Sequence, residues 1–186
     1  IVESFPPEAL RNLWNDRLKI RTKECAFREF LAREGLTVSA DRLHYFSHWI
    51  TPEILPIRFD VRFFAAKAPR GQEALHDGAE TTKSLWISPA NALRRHDEGS
   101  FPMVLPTVVV LEELAEFRSV DEVVESTAGK SICGILTRIV VDDRDGVVEY
   151  FPDGTARRRC HPSMDLRTMP GYERSVVVAR SRETES

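Results

Sequence analysis

The chain is poor in the residues that build specialised scaffolds. Its cysteines, Cys25, Cys133 and Cys160, are odd in number and far apart. They suggest neither a disulfide framework nor the close-set ligand pairs of a zinc site, and they suit a reducing cytoplasm. No apolar run is long enough to span a bilayer: Met103-Val-Leu stops at Pro106, and Val108-Val-Val-Leu111 runs into acidic residues. The start carries no signal-peptide pattern, so a cytoplasmic location is expected. A dominant charge sign is missing too. With 26 basic and 29 acidic residues the net charge is -3, which gives no reason to expect a nucleic-acid or membrane surface, although a local basic patch for a small anion remains open. Nucleophile contexts such as Gly-x-Ser-x-Gly are absent, as are internal repeats. What remains is an ordinary globular composition, 42% hydrophobic and 30% charged over 186 residues.

Periodicity places the elements. Leu10, Leu13, Trp14 and Leu18 form one stripe of a helix behind Pro6-Pro7, and Phe27, Phe30 and Leu31 form one face of a second helix that Gly35 ends. A short helical turn opened by Ser39 follows. His44–Ile50 reads as an aromatic strand ending at Thr51-Pro52. Ile57–Ala65 alternates Ile57, Phe59, Val61 and Phe63 with Arg58, Asp60 and Arg62, the period of a half-buried strand. Thr81–Ile87 is expected to be another strand, with Trp86 in the core. Ser88-Pro89 caps a helix reaching about His96, and Pro106-Thr107 opens one reaching about Phe117, with Leu111, Leu114 and Ala115 inward. Ser119-Val-Asp-Glu122 is a capping box. Two β segments, Ile135–Val141 and Val147–Phe151, are joined through Asp145-Gly146 and followed by a turn at Pro152-Asp-Gly154. Val176–Val178 reads as a last strand. The fold class is α+β.

The order of these pieces carries a resemblance. His48-Trp-Ile-Thr-Pro-Glu53, then Arg58-Phe-Asp-Val-Arg-Phe-Phe64, Glu80, Trp86-Ile-Ser-Pro and Leu105-Pro-Thr107 with a leucine-bearing helix behind it resemble the second half of a Nudix hydrolase. The branch is that of coenzyme A diphosphatases and their bacterial relatives. The resemblance spans Leu10 to Phe117, with a weaker match at Met169-Pro-Gly171. It implies one Nudix-like α/β/α sandwich with a mixed sheet, incomplete at its N-terminal side: 10–43 a helical insert, 44–128 the strand and helix core, 129–186 a β-rich extension. It further implies hydrolysis of a diphosphate bond in a nucleoside-diphosphate-linked or coenzyme A-type small molecule, with Mg²⁺ or Mn²⁺ as cofactor; a homodimer is compatible.

The family's metal box, Gly-x5-Glu-x7-Arg-Glu-U-x-Glu-Glu-x-Gly-U with U a bulky aliphatic residue, is not in this chain. Its only approximate match, Arg28-Glu-Phe-Leu-Ala-Arg-Glu-Gly35, has Ala32 and Arg33 where the paired glutamates belong, and no glycine precedes it. The expectation is therefore a C-terminal portion of such an enzyme, with no metal ligand set of its own and little or no hydrolysis alone; the alternative is a non-catalytic Nudix-like binding or regulatory module. The resemblance marks Glu80 as a catalytic candidate, a base or outer-shell ligand, against a solvated loop glutamate. Arg58 and Arg62 are candidates for substrate phosphates, against an internal ion pair with Asp60. Trp49 and Thr51, at a strand end entering a loop, are candidates for the substrate side, with a core role as the alternative for the indole.

Overall fold

The computed structural model describes residues 26–55, 57–69, 76, 83–142 and 146–158, with positions 12, 16, 17, 19, 20 and 22. Glu80, Cys25, Cys160, Met169–Gly171 and Val176–Val178 lie outside the described residues. The chain divides into two compact units, one of residues 1–44 and 66–84, the other of 45–65 and 85–186. Its described elements are helices with a mixed and an antiparallel sheet, an α+β fold.

In the first unit the described positions between 12 and 20 are helical. Helix α1, Phe27–Arg33, buries Phe30. It stops where Gly35 takes φ 64°, a left-handed conformation that costs glycine no Cβ clash. A 3-10 turn, Ala40–Arg42, follows Ser39.

The second unit holds the rest. Strands β1 (His44–Ile50), which starts at the join, and β2 (Asp60–Ala65) are neighbours in one sheet, and β3 (Ile135–Leu136) completes it on the other side of β1. β1 and β3 run parallel, with Trp49 opposite Ile135 and Ile50 opposite Leu136. Cross-strand contacts fall from Tyr45–Phe64 to Thr51–Phe59 as the chain advances along β1, so β1 and β2 are antiparallel. On β1 the buried residues are Phe46, Ser47 and Trp49, while Tyr45, His48 and Ile50 are half-buried. Phe46 and Trp49 belong to the core cluster, and Ser47 is buried with its hydroxyl accepting from the Trp49 indole.

Helices α2 (Pro89–Asp97), α3 (Leu105–Ala115) and α4 (Val120–Ser126) follow β2. Ser88 and Ser119 cap α2 and α4, their hydroxyls accepting from the N–H groups of Asn91 and Glu122 at 3.4 and 3.2 Å. The capping-box glutamate donates its partnership one residue earlier than the motif implies: Glu122 accepts from the N–H of Arg118 at 2.8 Å. Helix α3 contains Val108-Val-Val110, three β-branched residues with low helix propensity, and its hold comes from burial of Val110 beside Phe46, Trp49 and Val123. Leu114, Phe117, Phe63 and Phe151 pack against that cluster. Ala115, expected inward, is exposed. The last three strands, β4 (Arg138–Asp142), β5 (Gly146–Tyr150) and β6 (Ala156–Arg158), form an antiparallel sheet. Gly154 makes the β5–β6 turn at φ 87°.

Two expectations need correction. Residues 83–88 form no strand, and Trp86 is 73% exposed; a strand needs a neighbour to take its backbone bonds, and this stretch has none among the described residues. The alternation of Ile57–Ala65 also does not carry through. The strand starts only at Asp60, and of the apolar set Phe63 packs against the core cluster while Ile57, Phe59 and Val61 stay exposed.

Candidate functional site

The β1–β2 hairpin gathers most of the candidate side chains. Its loop is closed at the neck by Thr51, whose N–H donates to the carbonyl of Phe59 at 2.9 Å and whose hydroxyl accepts from the N–H of Phe59 at 2.9 Å. Thr51 is therefore occupied as the latch of this loop, and its carbonyl accepts from Arg58 Nε at 3.0 Å. That bond uses one edge of the guanidinium. The terminal amino groups of Arg58, exposed to solvent, make no ion pair among the described residues.

Period-two geometry puts Asp60, Arg62 and Phe64 on one side of β2, where the half-buried Tyr45 and His48 of β1 meet them. Asp60 Oδ1 lies 2.6 Å from His48 Nε2 and 3.2 Å from Arg62 Nη1, so one carboxylate oxygen serves both. The Tyr45 ring stands against Phe64 at 5.4 Å and against the His48 ring at 6.3 Å between centroids. Behind His48 the chain passes as Gly134. A Cβ there would stand 2.9 Å from Ile50 Cδ1 and 3.1 Å from His48 Nδ1 and Cε1, so a larger residue would require the Ile50 methyl and the imidazole to shift. Glu53, Arg58, Asp60 and Arg62 give the hairpin two acids and two arginines. The internal pair between Arg62 and Asp60 exists, and it leaves the terminal amino groups of Arg58 as open donors among the described residues.

Trp49 is turned the other way. It is 2% exposed, its ring lies edge-on to Phe151 at 5.9 Å, and its indole N–H donates to the Ser47 hydroxyl at 3.1 Å. An indole so enclosed has no face open to a ligand, and the core alternative is the one that describes it.

The approximate metal box forms helix α1, and its charges are spent internally. Arg33 pairs with Asp16 and, at 3.1 Å, with Glu34, whose carboxylate also accepts from Asn12 at 3.0 Å. Lys19 adds a second cation to Asp16 at 3.3 Å. The Asn12 hydrogen bond, then Arg33, hold the Glu34 carboxyl below its ordinary range. Desolvation raises that of Asp16, and the hydrogen bonds from Lys19 and Arg33 outweigh it. A guanidinium standing between the two acids occupies the place a divalent cation would need, so these residues do not fit Mg²⁺ or Mn²⁺. Among the described residues there is no group of three histidine, cysteine or acidic side chains arranged to hold a metal, and no helix is long and apolar enough to cross a membrane.

Sequence reasoning missed two residues. His48 is a partner of Asp60, a fact that depends on cross-strand register and leaves no trace in spacing. Glu149 is 1% exposed in the middle of β5, where the Thr137 hydroxyl donates to its carboxylate. Its place in the alternation of Val147–Phe151 was the only available signal. The chain matches no protein-family model, no curated protein and no solved structure.

Proposed function

We propose that this chain supplies the substrate-side strand of a Nudix-type hydrolase that cleaves a diphosphate bond in a nucleoside-diphosphate-linked or coenzyme A-type molecule. One observation carries the reading: two exposed arginines, Arg58 and Arg62, stand on the β1–β2 hairpin, and among the described residues the terminal amino groups of Arg58 make no ion pair, so guanidinium donors remain for an anion. Guanidinium groups bind phosphate oxygens through paired hydrogen bonds, and a surface of this kind suits a diphosphate better than a neutral ligand. The ordered series of Thr51-Pro52, Arg58-Phe-Asp60 and Pro106-Thr107 segments supports the same family, with a Nudix-like sandwich as the architecture of the intact domain. Glu80, outside the described residues, is the candidate base or outer-shell ligand that the resemblance marks.

In this family a divalent metal neutralises the diphosphate and activates water. The residues of α1 do not furnish its ligands, so the role of residues 1–186 is to bind and orient. The alternative, a Nudix-like module that binds without cleaving, rests on the same Arg33-filled helix. Titration with coenzyme A, ADP-ribose and inorganic pyrophosphate, each with and without Mn²⁺, tests the reading. Micromolar to millimolar binding lost on replacing both arginines supports the substrate surface. Mn²⁺-dependent turnover by residues 1–186 alone would overturn the assignment of a purely binding role. A glutamate-rich box elsewhere in the same polypeptide separates the enzyme from the module.

A further inference from the structure

We infer that His48 is a positioning residue for the anion contact of Arg62, acting through Asp60. The inference rests on the diphosphate reading of the arginines and adds the part that holds one of them in place. The three side chains form a graded series. His48 is 14% exposed at its side chain, whereas Asp60 and Arg62 are each 53% exposed. The inner member is fixed: Gly134 closes on its Nδ1 and Cε1 edge, Tyr45 lies beside its ring, and Nε2 is 2.6 Å from Asp60 Oδ1. The middle member passes that fixation outward, because the same oxygen is 3.2 Å from Arg62 Nη1. The outer member is a long side chain with much rotamer freedom to lose on binding, and a guanidinium already held at one corner loses less.

Nε2 faces Asp60, whose carboxylate oxygen can only accept, so the Nε2–H donates to it. His48 therefore touches no substrate atom. Its partner's charge makes the role separable from plain electrostatics. Asp60 is an anion beside an anion site, and removing its charge should by Coulomb attraction alone tighten binding of a diphosphate. If its task is to hold Arg62, removing its ion pair with that guanidinium should loosen binding instead. The two accounts predict opposite signs.

The test uses the full chain and inorganic pyrophosphate as the probe, followed by calorimetry, with ¹⁵N spectra of the imidazole as a second readout. Arg62→Ala establishes that this arginine contacts the probe. Asp60→Ala and His48→Ala are each expected to weaken binding about fivefold, the upper end of what a partly exposed charged pair contributes. The double variant should be no weaker than either single one, since both break one chain of contacts. His48→Gln, which keeps an N–H donor, should recover most of the affinity. In the wild type Nε2 should be the protonated nitrogen at neutral pH. Tighter binding by Asp60→Ala, additive single effects, or an Nδ1-protonated ring would overturn the inference while leaving Arg62 as a contact. An Arg62→Ala variant that binds as the wild type does would remove the diphosphate reading itself, and the inference with it.

Discussion

Two clusters of arginine and carboxylate occupy the two units, and they differ in arithmetic. In the first unit Asp16 and Glu34 enclose Arg33, with Lys19 and Asn12 completing the set, so two acids meet two cations and an amide. In the second unit Asp60 alone meets Arg62 and His48, and Arg58 spends only its Nε edge on a backbone carbonyl. The first set is closed and its work is structural. The second has guanidinium donors to spare among the described residues. Residue types are nearly the same in both; what separates them is the ratio of donors to acceptors within reach, and that ratio is where an anion can enter.

The contrast can be tested most forcefully from behind the open cluster. Trp49→Ala removes the indole that packs on Phe151 from the same strand that carries His48, and is expected to cost about 3–5 kcal/mol of stability in urea unfolding. A loss under about 1 kcal/mol would mean that the open cluster does not stand on a packed base. Next in size is Gly134→Ala, expected to cost about 1–3 kcal/mol because the added methyl meets Ile50 and a His48 ring already tied to Asp60. The same variant should shift the His48 imidazole resonances; an unmoved ring would show that Gly134 does not confine it. The third experiment contrasts the clusters directly. Arg62→Ala should weaken pyrophosphate binding about tenfold, near the upper range for one exposed charge-assisted contact, whereas Arg33→Ala should leave it unchanged. Equal losses from both would erase the distinction between closed and open. The smallest effect is in acid. The Glu34 carboxyl, with its pKa depressed in the fold by Asn12 and Arg33, contributes stability that is present above its ordinary value and lost as pH falls through the folded value. Carboxyl NMR should find its midpoint below 4.5; a midpoint at or above that value would break the closed set.

Local signals in the sequence were read well where the cause is local. The strand His44–Ile50 follows from its aromatic run bounded by Thr51-Pro52, and the Ser88, Ser119, Gly35 and Gly154 boundaries follow from capping and from left-handed backbone. Where a residue's state depends on a distant neighbour, the pattern was silent or misleading. Trp86 is a residue type that favours the core and is nonetheless 73% exposed. Phe59 and Val61 keep the period of a half-buried strand and are also exposed. Arg157 and Arg158 extend the sheet because β5 offers them an edge to pair with. Within the site, the arginine-to-Asp60 pairing was one of two readings that spacing allowed, while the histidine required knowledge of register.

The parallel pairing of β1 with β3 has a kinetic consequence. β1 meets β2, and β4 meets β5, through short hairpins, but Trp49 and Ile135 are distant in the chain and joined by everything that forms α2, α3 and α4. Closing that loop costs entropy that grows only slowly with length, about 0.6 kcal/mol per doubling, yet it must be met before the contact gives anything back. Asp60 can find His48 as soon as the first hairpin forms, in microseconds. Gly134 arrives only when the long loop closes. A refolding chain would therefore acquire its ion pair early and its confinement last, and a slow phase seen at His48 but absent from the hairpin backbone would report the docking of β3.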